Sequence, residues 1–496
     1  MTSWSETTGP DFQLHFGYRD EREYADLVEK LVAARVASGI AAQDPTLWGG
    51  DAETEAAKRL SWVDLATASR PLVSDIAMLR AELVDQGLTR IVLCGMGGSS
   101  LAPEVICGSA GVPLEVLDSS HPDVVRAAVE TRIDETLVVV SSKSGGTVET
   151  DSARRAFEKA FQDGGIDPAE RIVVVTDPGS PLDQEATEAG HRVFRADPDV
   201  GGRYSALTAF GLVPSGLAGA DVGLLLDEAA AIAPLLSADD VTNPGLRLGA
   251  LLGLSANDGV DKLVLVDAGA PFAGLGDWIE QLVAESTGKL GKGLLPVVVP
   301  GPASPNFSPS TPDSVLVSYG PGSPFAGTHP ASGVGASVDA PLGAQMLMWE
   351  YATAVAGRVI GINPFDQPDV ESAKAAAREL LDGAGETPEP TFSEGPVDVY
   401  AGDWLPDGMS SVEAAIDALL NALDPEHGYL AVHAYLDRHR DASFALVRES
   451  LAARTGRPVT FGLGPRFLHS HGQYHKGGPA PGVYLQGPGA PAADLG

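Results

Sequence analysis

Glu285 is the residue with the clearest capacity for chemistry. In Gln281-Leu282-Val283-Ala284-Glu285-Ser286-Thr287-Gly288-Lys289, Gln281, Glu285 and Lys289 fall at i, i+4 and i+8, so on a helix they share one face and can reach one ligand. Elsewhere, Gly201-Gly202-Arg203-Tyr204-Ser205 sets a cation beside two glycines, where backbone and guanidinium can approach a ligand closely. A carboxylate to move a proton and a fixed cation to hold the resulting negative charge are the equipment of general-base catalysis with electrostatic stabilisation. An isolated Glu/Lys pair at this spacing is ordinary surface pairing, and a lone arginine commonly caps a carbonyl. The two segments gain meaning from their companions.

Those companions are Gly95-Met96-Gly97-Gly98-Ser99-Ser100 and Ser142-Lys143-Ser144-Gly145-Gly146-Thr147. Both follow apolar runs that read as buried strands, Arg90 to Cys94 and Thr136 to Ser141, and both open a helix. Hydroxyls, glycines and unpaired N–H groups at a helix start favour a phosphate. Ser142, Ser144 and Thr147 form the expected cradle with Lys143 as a local cation, while Gly97, Gly98 and Ser99 are expected to hold sugar hydroxyls or the phosphate edge. Neither segment is a P-loop, because the Gly-Lys-Ser/Thr ending is missing, and the first is not a dinucleotide fingerprint.

The four motifs, in this order, resemble the glucose-6-phosphate isomerase family, and a fifth, Gly361-Ile362-Asn363-Pro364-Phe365-Asp366-Gln367-Pro368 leading to Lys374, is similar to that family's last catalytic segment. The resemblance spans roughly residues 70 to 380. It implies interconversion of glucose 6-phosphate and fructose 6-phosphate through an enediolate, in glycolysis and gluconeogenesis, with Glu285 as base and Arg203 as electrophile. It further implies Lys374 at the ring or C1 oxygen, Gln367 and Gln281 as substrate contacts, no cofactor, no metal and a homodimer. A bifunctional phosphoglucose/phosphomannose isomerase and a silent sugar-phosphate sensor are the alternatives. The tail, Gly464 to Gly478, looks like the end of the isomerase half of transaldolase/glucose-6-phosphate isomerase fusions, whose transaldolase half has no counterpart here.

One departure concerns the histidine that opens the sugar ring, which most members carry in a Gly-Gln-His segment between the glutamate and the lysine. Between Glu285 and Lys374 this chain has only His329. The tail offers Gly472-Gln473-Tyr474-His475-Lys476, which makes His475 the expected acid/base ahead of His469 and His471. Three histidines in this tail also suggest a metal, but no carboxylate or cysteine accompanies them at ligand spacing, and none is expected.

The elements that position these residues follow from periodicity. Continuous apolar runs separated by helix-length segments indicate parallel strands covered on both faces, with ligand loops at their carboxyl ends. The expected class is α/β, with two sugar-isomerase domains, each a parallel sheet flanked by helices, plus a C-terminal extension. Expected boundaries are 1–71 for an N-terminal helical segment, 72–242 and 243–382 for the two domains, and 383–496 for linker and extension. Residues 299 to 341, rich in Pro, Gly and Ser, read as a long loop with at most one strand, Ser314 to Ser318. At 496 residues and 44% hydrophobic content, the chain can fill several cores.

A formal charge of −34 excludes a nucleic-acid partner, since phosphate backbones are bound through released counterions. It also repels anionic substrates at long range, so binding has to rest on local cations. No apolar run is long enough for a membrane span and the amino terminus shows no signal pattern, so a cytoplasmic location is expected. The two cysteines, Cys94 and Cys107, cannot build a disulfide framework, and Cys94 falls in an apolar strand as a buried thiol.

Overall fold

The computed structural model describes residues 5–9, 12–322, 329–368 and 389–491. Its first sheet is five-stranded and wholly parallel, ordered Glu115–Leu117, Arg90–Gly95, Thr136–Ser141, Ile172–Thr176 and Arg192–Arg195. Successive residues of a strand face opposite sides, and here both sides are apolar. Ile91, Leu93, Val139 and Val173 join the large central core, whereas Val92, Cys94, Val138 and Val174 pack against Phe157, Phe161 and Leu182 on the other face. The continuous apolar runs of the sequence are therefore the mark of a sheet covered twice. Cys94 and Cys107 are free and buried.

The second sheet has six strands, ordered Ser5–Gly9, Phe12–Gly17, Gly335–Asp339, Ser314–Tyr319, Lys262–Asp267 and Leu295–Val299. Its last four are parallel, and the amino-terminal pair adds antiparallel at one edge. Two expectations change here. The first 71 residues do not form a purely helical segment, because Leu14 and Phe16 alternate with Gln13 and His15 and bury one strand face in the central core. The region 299–341 holds two strands rather than at most one.

One face of this second sheet joins the central core through Leu263, Leu265, Val315 and Val317. Its other face, with Val264, Val266, Val297 and Leu316, is covered by Tyr429, Ala431 and Tyr474 of the C-terminal extension. The extension brings its own three-stranded parallel sheet, ordered Val459–Leu463, Tyr429–Tyr435 and Gly482–Pro488. The α/β class with parallel sheets flanked by helices is thus as expected. Among the described residues no helix is long and apolar enough to cross a membrane.

Two helices at the centre, Pro244–Asn257 and Leu342–Ile360, lie almost backbone to backbone. A Cβ at Gly249 would stand 2.5 Å from Val355 Cβ and 2.6 Å from the Ala352 carbonyl oxygen, so only glycine allows this approach. Gly249→Ala is expected to destabilise the fold by about 1–3 kcal/mol through overpacking. Gly50→Ala, at a helical glycine with nothing within 4 Å of the added Cβ, serves as the control and should be neutral or slightly stabilising. Thermal midpoints of the two variants check this, and equal midpoints would contradict the close helix contact.

Candidate active site

The site is built where the first and second sheets meet, by glycine contacts that no larger residue permits. A Cβ on Gly98 would lie 2.0 Å from the Gly202 carbonyl oxygen, and one on Gly97 would lie 2.7 Å from the His469 carbonyl oxygen and 2.8 Å from Gln281 Nε2. Gly97 also has φ +55°, a conformation that glycine adopts without a Cβ penalty. The first and third motifs are therefore in backbone contact, with the fourth motif and the tail against their other edge.

Helix Leu275–Thr287 carries Gln281 and Glu285, both buried, in its last two turns. Gln281 Nε2 donates to Glu285 Oε2 at 3.1 Å and to the His469 carbonyl at 3.0 Å. Glu285 Oε1 lies 3.3 Å from Arg203 NH1. Arg203, 2% exposed, spends its other groups on structure: Nε donates to Ser286 Oγ at 2.8 Å, and NH2 donates to the Pro364 and Asp366 carbonyls at 2.7 and 3.0 Å. A guanidinium has five N–H groups, so NH1 is the edge turned toward the carboxylate.

Lys289 does not share a ligand-facing side with Glu285. Its ammonium donates to the Asn363 carbonyl, the Asp366 carbonyl and Asp366 Oδ1 at 2.6, 2.7 and 2.6 Å. Burial, followed by the charge of Arg203, pushes its pKa down to about 7 against the pull of Asp366. Arg203 and Lys289 thus grip the same turn, residues 363–366, from two motifs. Gln367 follows directly and is half-buried. Lys374 lies outside the described residues.

The loop after strand Thr136–Ser141 is closed by its own serines. Ser142 Oγ accepts from Gly145 N at 3.1 Å and Ser144 Oγ from Gly146 N at 3.2 Å, while Thr147 is the N-cap of helix Val148–Asp163. That helix forms because Ala153, Phe157 and Phe161 recur on one buried face. The Lys143 ammonium is tethered sideways, 2.6 Å from Asp177 and 3.1 Å from the Pro198 carbonyl. Ser99 is half-buried beside Gly98.

Sequence reasoning overlooked Glu149, one turn into the same helix. A glutamate there is ordinary helix-end charge, and only the fold brings His469 to it, with His469 Nε2 3.3 Å from Glu149 Oε1. Burial opposes ionisation of Glu149, yet the hydrogen bond and charge of His469 outweigh it and lower its pKa. His469 keeps 33% of its side chain exposed. A continuous run of contacts therefore links the cradle helix through Glu149, His469 and Gln281 to Glu285 and Arg203.

His475 is not brought to these residues. Helix Gly472–Gly477 turns Gln473 and Tyr474 onto Gly288, which sends the His475 ring to the opposite side, stacked on Tyr429 with Nδ1 2.9 Å from its hydroxyl. Burial, with the neighbouring His433 and Lys476, lowers its pKa to about 3. His329 is exposed.

Comparison with known proteins finds relatives in sequence and in fold. The chain is 37% identical over 218 residues to the glucose-6-phosphate isomerase of a Cyanothece species, a match covering 40% of each chain. It is 28% identical over 346 residues to the probable glucose-6-phosphate isomerase of Methanococcus maripaludis, covering 59% of this chain and 79% of that one. The chain is homologous to the glucose-6-phosphate isomerases. The crystal structure of the Chlamydia trachomatis glucose-6-phosphate isomerase superposes with a TM-score of 0.63 over 77% of this chain and 90% of that one, and at 19% identity this likeness concerns the fold. No protein-family model matches the chain. The match to the first of these isomerases thus spans well under half of its length.

The tail that delivers His469 is held by charge. Arg466 lies 2.6 Å from Glu104 and 2.7 Å from Asp118, and Arg438 also pairs with Glu104. Burial opposes ionisation of Glu104, but the two arginines outweigh it and lower its pKa from 4.5 to about 2. A depressed carboxylate stabilises the fold above its unfolded pKa, and that stability is lost as pH falls toward the folded value. Glu104→Gln should therefore melt below wild type at pH 7, with the gap narrowing between about pH 4.5 and 2. A gap independent of pH would contradict the pairing.

Proposed function

We propose that the chain interconverts D-glucose 6-phosphate and D-fructose 6-phosphate. What supports the reading is the run of contacts from helix Val148–Asp163 through the Glu149–His469 pair and Gln281 to Glu285 and the buried Arg203. A silent binding protein has no use for a base gripped by an arginine.

In this reading Ser142, Ser144 and Thr147, with the N–H groups opening helix Val148–Asp163, hold the phosphate, and Gly97, Gly98 and Ser99 hold sugar hydroxyls. His469, oriented by Glu149, opens the ring by donating a proton to the ring oxygen while the C1 hydroxyl loses one. The Glu285 carboxylate then removes the proton from C2, the C–H electron pair forms the C1–C2 double bond, and the former carbonyl oxygen takes the negative charge. Arg203 NH1 stabilises that oxyanion, a contribution that typically amounts to about 3–4 kcal/mol of barrier. A proton then passes from O2 to O1 and leaves the negative charge on O2; as the carbonyl forms at C2, the C1–C2 electron pair takes the proton from Glu285 at C1, which gives fructose 6-phosphate. Gln281 holds Glu285 at Oε2, and Gln367 and Lys374 complete the substrate contacts. The role first expected of His475 passes to His469, which alone of the tail histidines pairs with the cradle helix.

A coupled assay with fructose 6-phosphate tests the activity itself, and absence of turnover would sink the reading. Glu285→Gln, which keeps shape and removes basicity, should lower turnover by at least about 10²–10⁴ with the Michaelis constant little changed. Wild-type turnover in that variant would remove Glu285 from the role.

The histidine assignment is read from a ratio. His469→Ala should slow turnover of cyclic glucose 6-phosphate much more than proton exchange on an open-chain analogue, since only the ring needs opening. His475→Ala should affect the two equally, through stability alone. A selective loss on the cyclic substrate in His475→Ala, with none in His469→Ala, would reverse the assignment.

A further inference from the structure

A second group of histidines converges behind the glutamate helix. His433 comes from strand Tyr429–Tyr435, and His471 and His475 from the start and the end of the tail helix. One ring nitrogen from each lies within 4.8 Å of the others. His433 and His471 are 2% and 1% exposed, and among the described residues neither ring nitrogen of His433 has a hydrogen-bond partner. Buried polar groups are normally satisfied, so His433 points to something that the protein atoms do not supply. Its ring stacks on Phe467 at 3.8 Å, but stacking leaves both nitrogens unpaired.

Of the other two rings, that of His475 is aimed by its outer nitrogen. His475 Nδ1 lies 2.9 Å from the Tyr429 hydroxyl, and His471 Nε2 faces Glu280 Oε1 at 3.8 Å. Their inner nitrogens, His475 Nε2 and His471 Nδ1, face each other at 2.7 Å. Metal-binding histidines are commonly held as His475 is, with the remote nitrogen on a hydroxyl or carboxylate and the near one facing the ion. Burial lowers the pKa of all three imidazoles and keeps them in the neutral, ligating form. The sequence offered no such set, because a lone His433 in an apolar strand and Glu280 on a distant helix carry no metal spacing.

We propose that His433, His471 and His475 form a binding site for a divalent transition-metal ion of the zinc class, with a fourth position left to solvent. Zinc–nitrogen bonds near 2.0–2.1 Å place tetrahedral ligands about 3.3 Å apart. The 2.7 Å contact must open by about 0.6 Å, and the wider spacings must close. Binding also requires His475 to carry its proton on Nδ1, where it donates to Tyr429, so that Nε2 is free for the metal. A cavity of about 690 Å³ lined by Glu280, Ser470 and His471 lies beside one of the three histidines. The bound ion would join the extension's central strand to the segment that delivers His469, acting as a clip on the tail rather than as a participant in isomerisation.

Cobalt(II) titrated into metal-free, full-length protein tests this. One equivalent should bind with the visible absorption of a four-coordinate site and should raise the melting temperature. His433→Phe, which keeps the stack on Phe467, and His475→Gln should each weaken cobalt binding at least about 100-fold. No stoichiometric binding, or binding unchanged in both variants, overturns the proposal. If a variant fails to fold, X-ray absorption on the cobalt-loaded wild type decides: three imidazole nitrogens support the site, and one imidazole or none rejects it.

Discussion

The Arg203 guanidinium is the constraint on which the rest of the site depends. It leaves the first half of the chain at Gly201-Gly202 and is spent on the second half: Ser286 and Glu285 on one helix, and the carbonyls of Pro364 and Asp366 on one turn. A buried cation with so many partners holds them at fixed separation, and removing one member of such a pair typically costs about 3–5 kcal/mol. Lys289 repeats the device from just beyond the end of the same helix, closing on the same Asp366. The glycines exist to let this happen, since Gly98 meets the Gly202 carbonyl where any side chain would push the halves apart.

This arrangement also explains how a chain of net charge −34 can offer a place to an anion. Long-range repulsion falls off within about 10 Å at ordinary salt, whereas the proposed cradle acts through N–H groups and hydroxyls at contact distance. The cations nearest the site are committed to structure, with Lys143 on Asp177 and Lys289 on Asp366. Arg203 NH1 is left beside the base. The C-terminal extension contributes more than cover for the second sheet: through Arg466 on Glu104 and Asp118 it presents His469 to the cradle helix.

What the sequence made legible follows the range of its signals. The apolar runs from Arg90 to Thr176 specify a doubly covered parallel sheet because both faces of each strand are buried, and the i, i+4 spacing of Gln281 and Glu285 places both on one side of a helix. The amino-terminal strands carried a weaker, period-two signal in Leu14 and Phe16, and their pairing with Gly335–Asp339 is a contact across more than three hundred residues. Lys289 was read as a ligand-facing cation, but the turn it binds lies more than seventy residues away. The tail histidines show the same limit. The string Gly472-Gln473-Tyr474-His475 drew attention to His475, while the partner that matters for His469, Glu149, is 320 residues distant and unremarkable by itself.

The central claim is that Glu285 moves a proton between adjacent carbons of a bound sugar phosphate. The most direct measurement follows fructose 6-phosphate with the full-length protein in deuterium oxide by proton NMR. The account predicts that glucose 6-phosphate forms with solvent deuterium at C2, because a carboxylate reached by water exchanges its proton before returning it. Fructose 6-phosphate left unchanged, with neither product nor deuterium at C1, would contradict it.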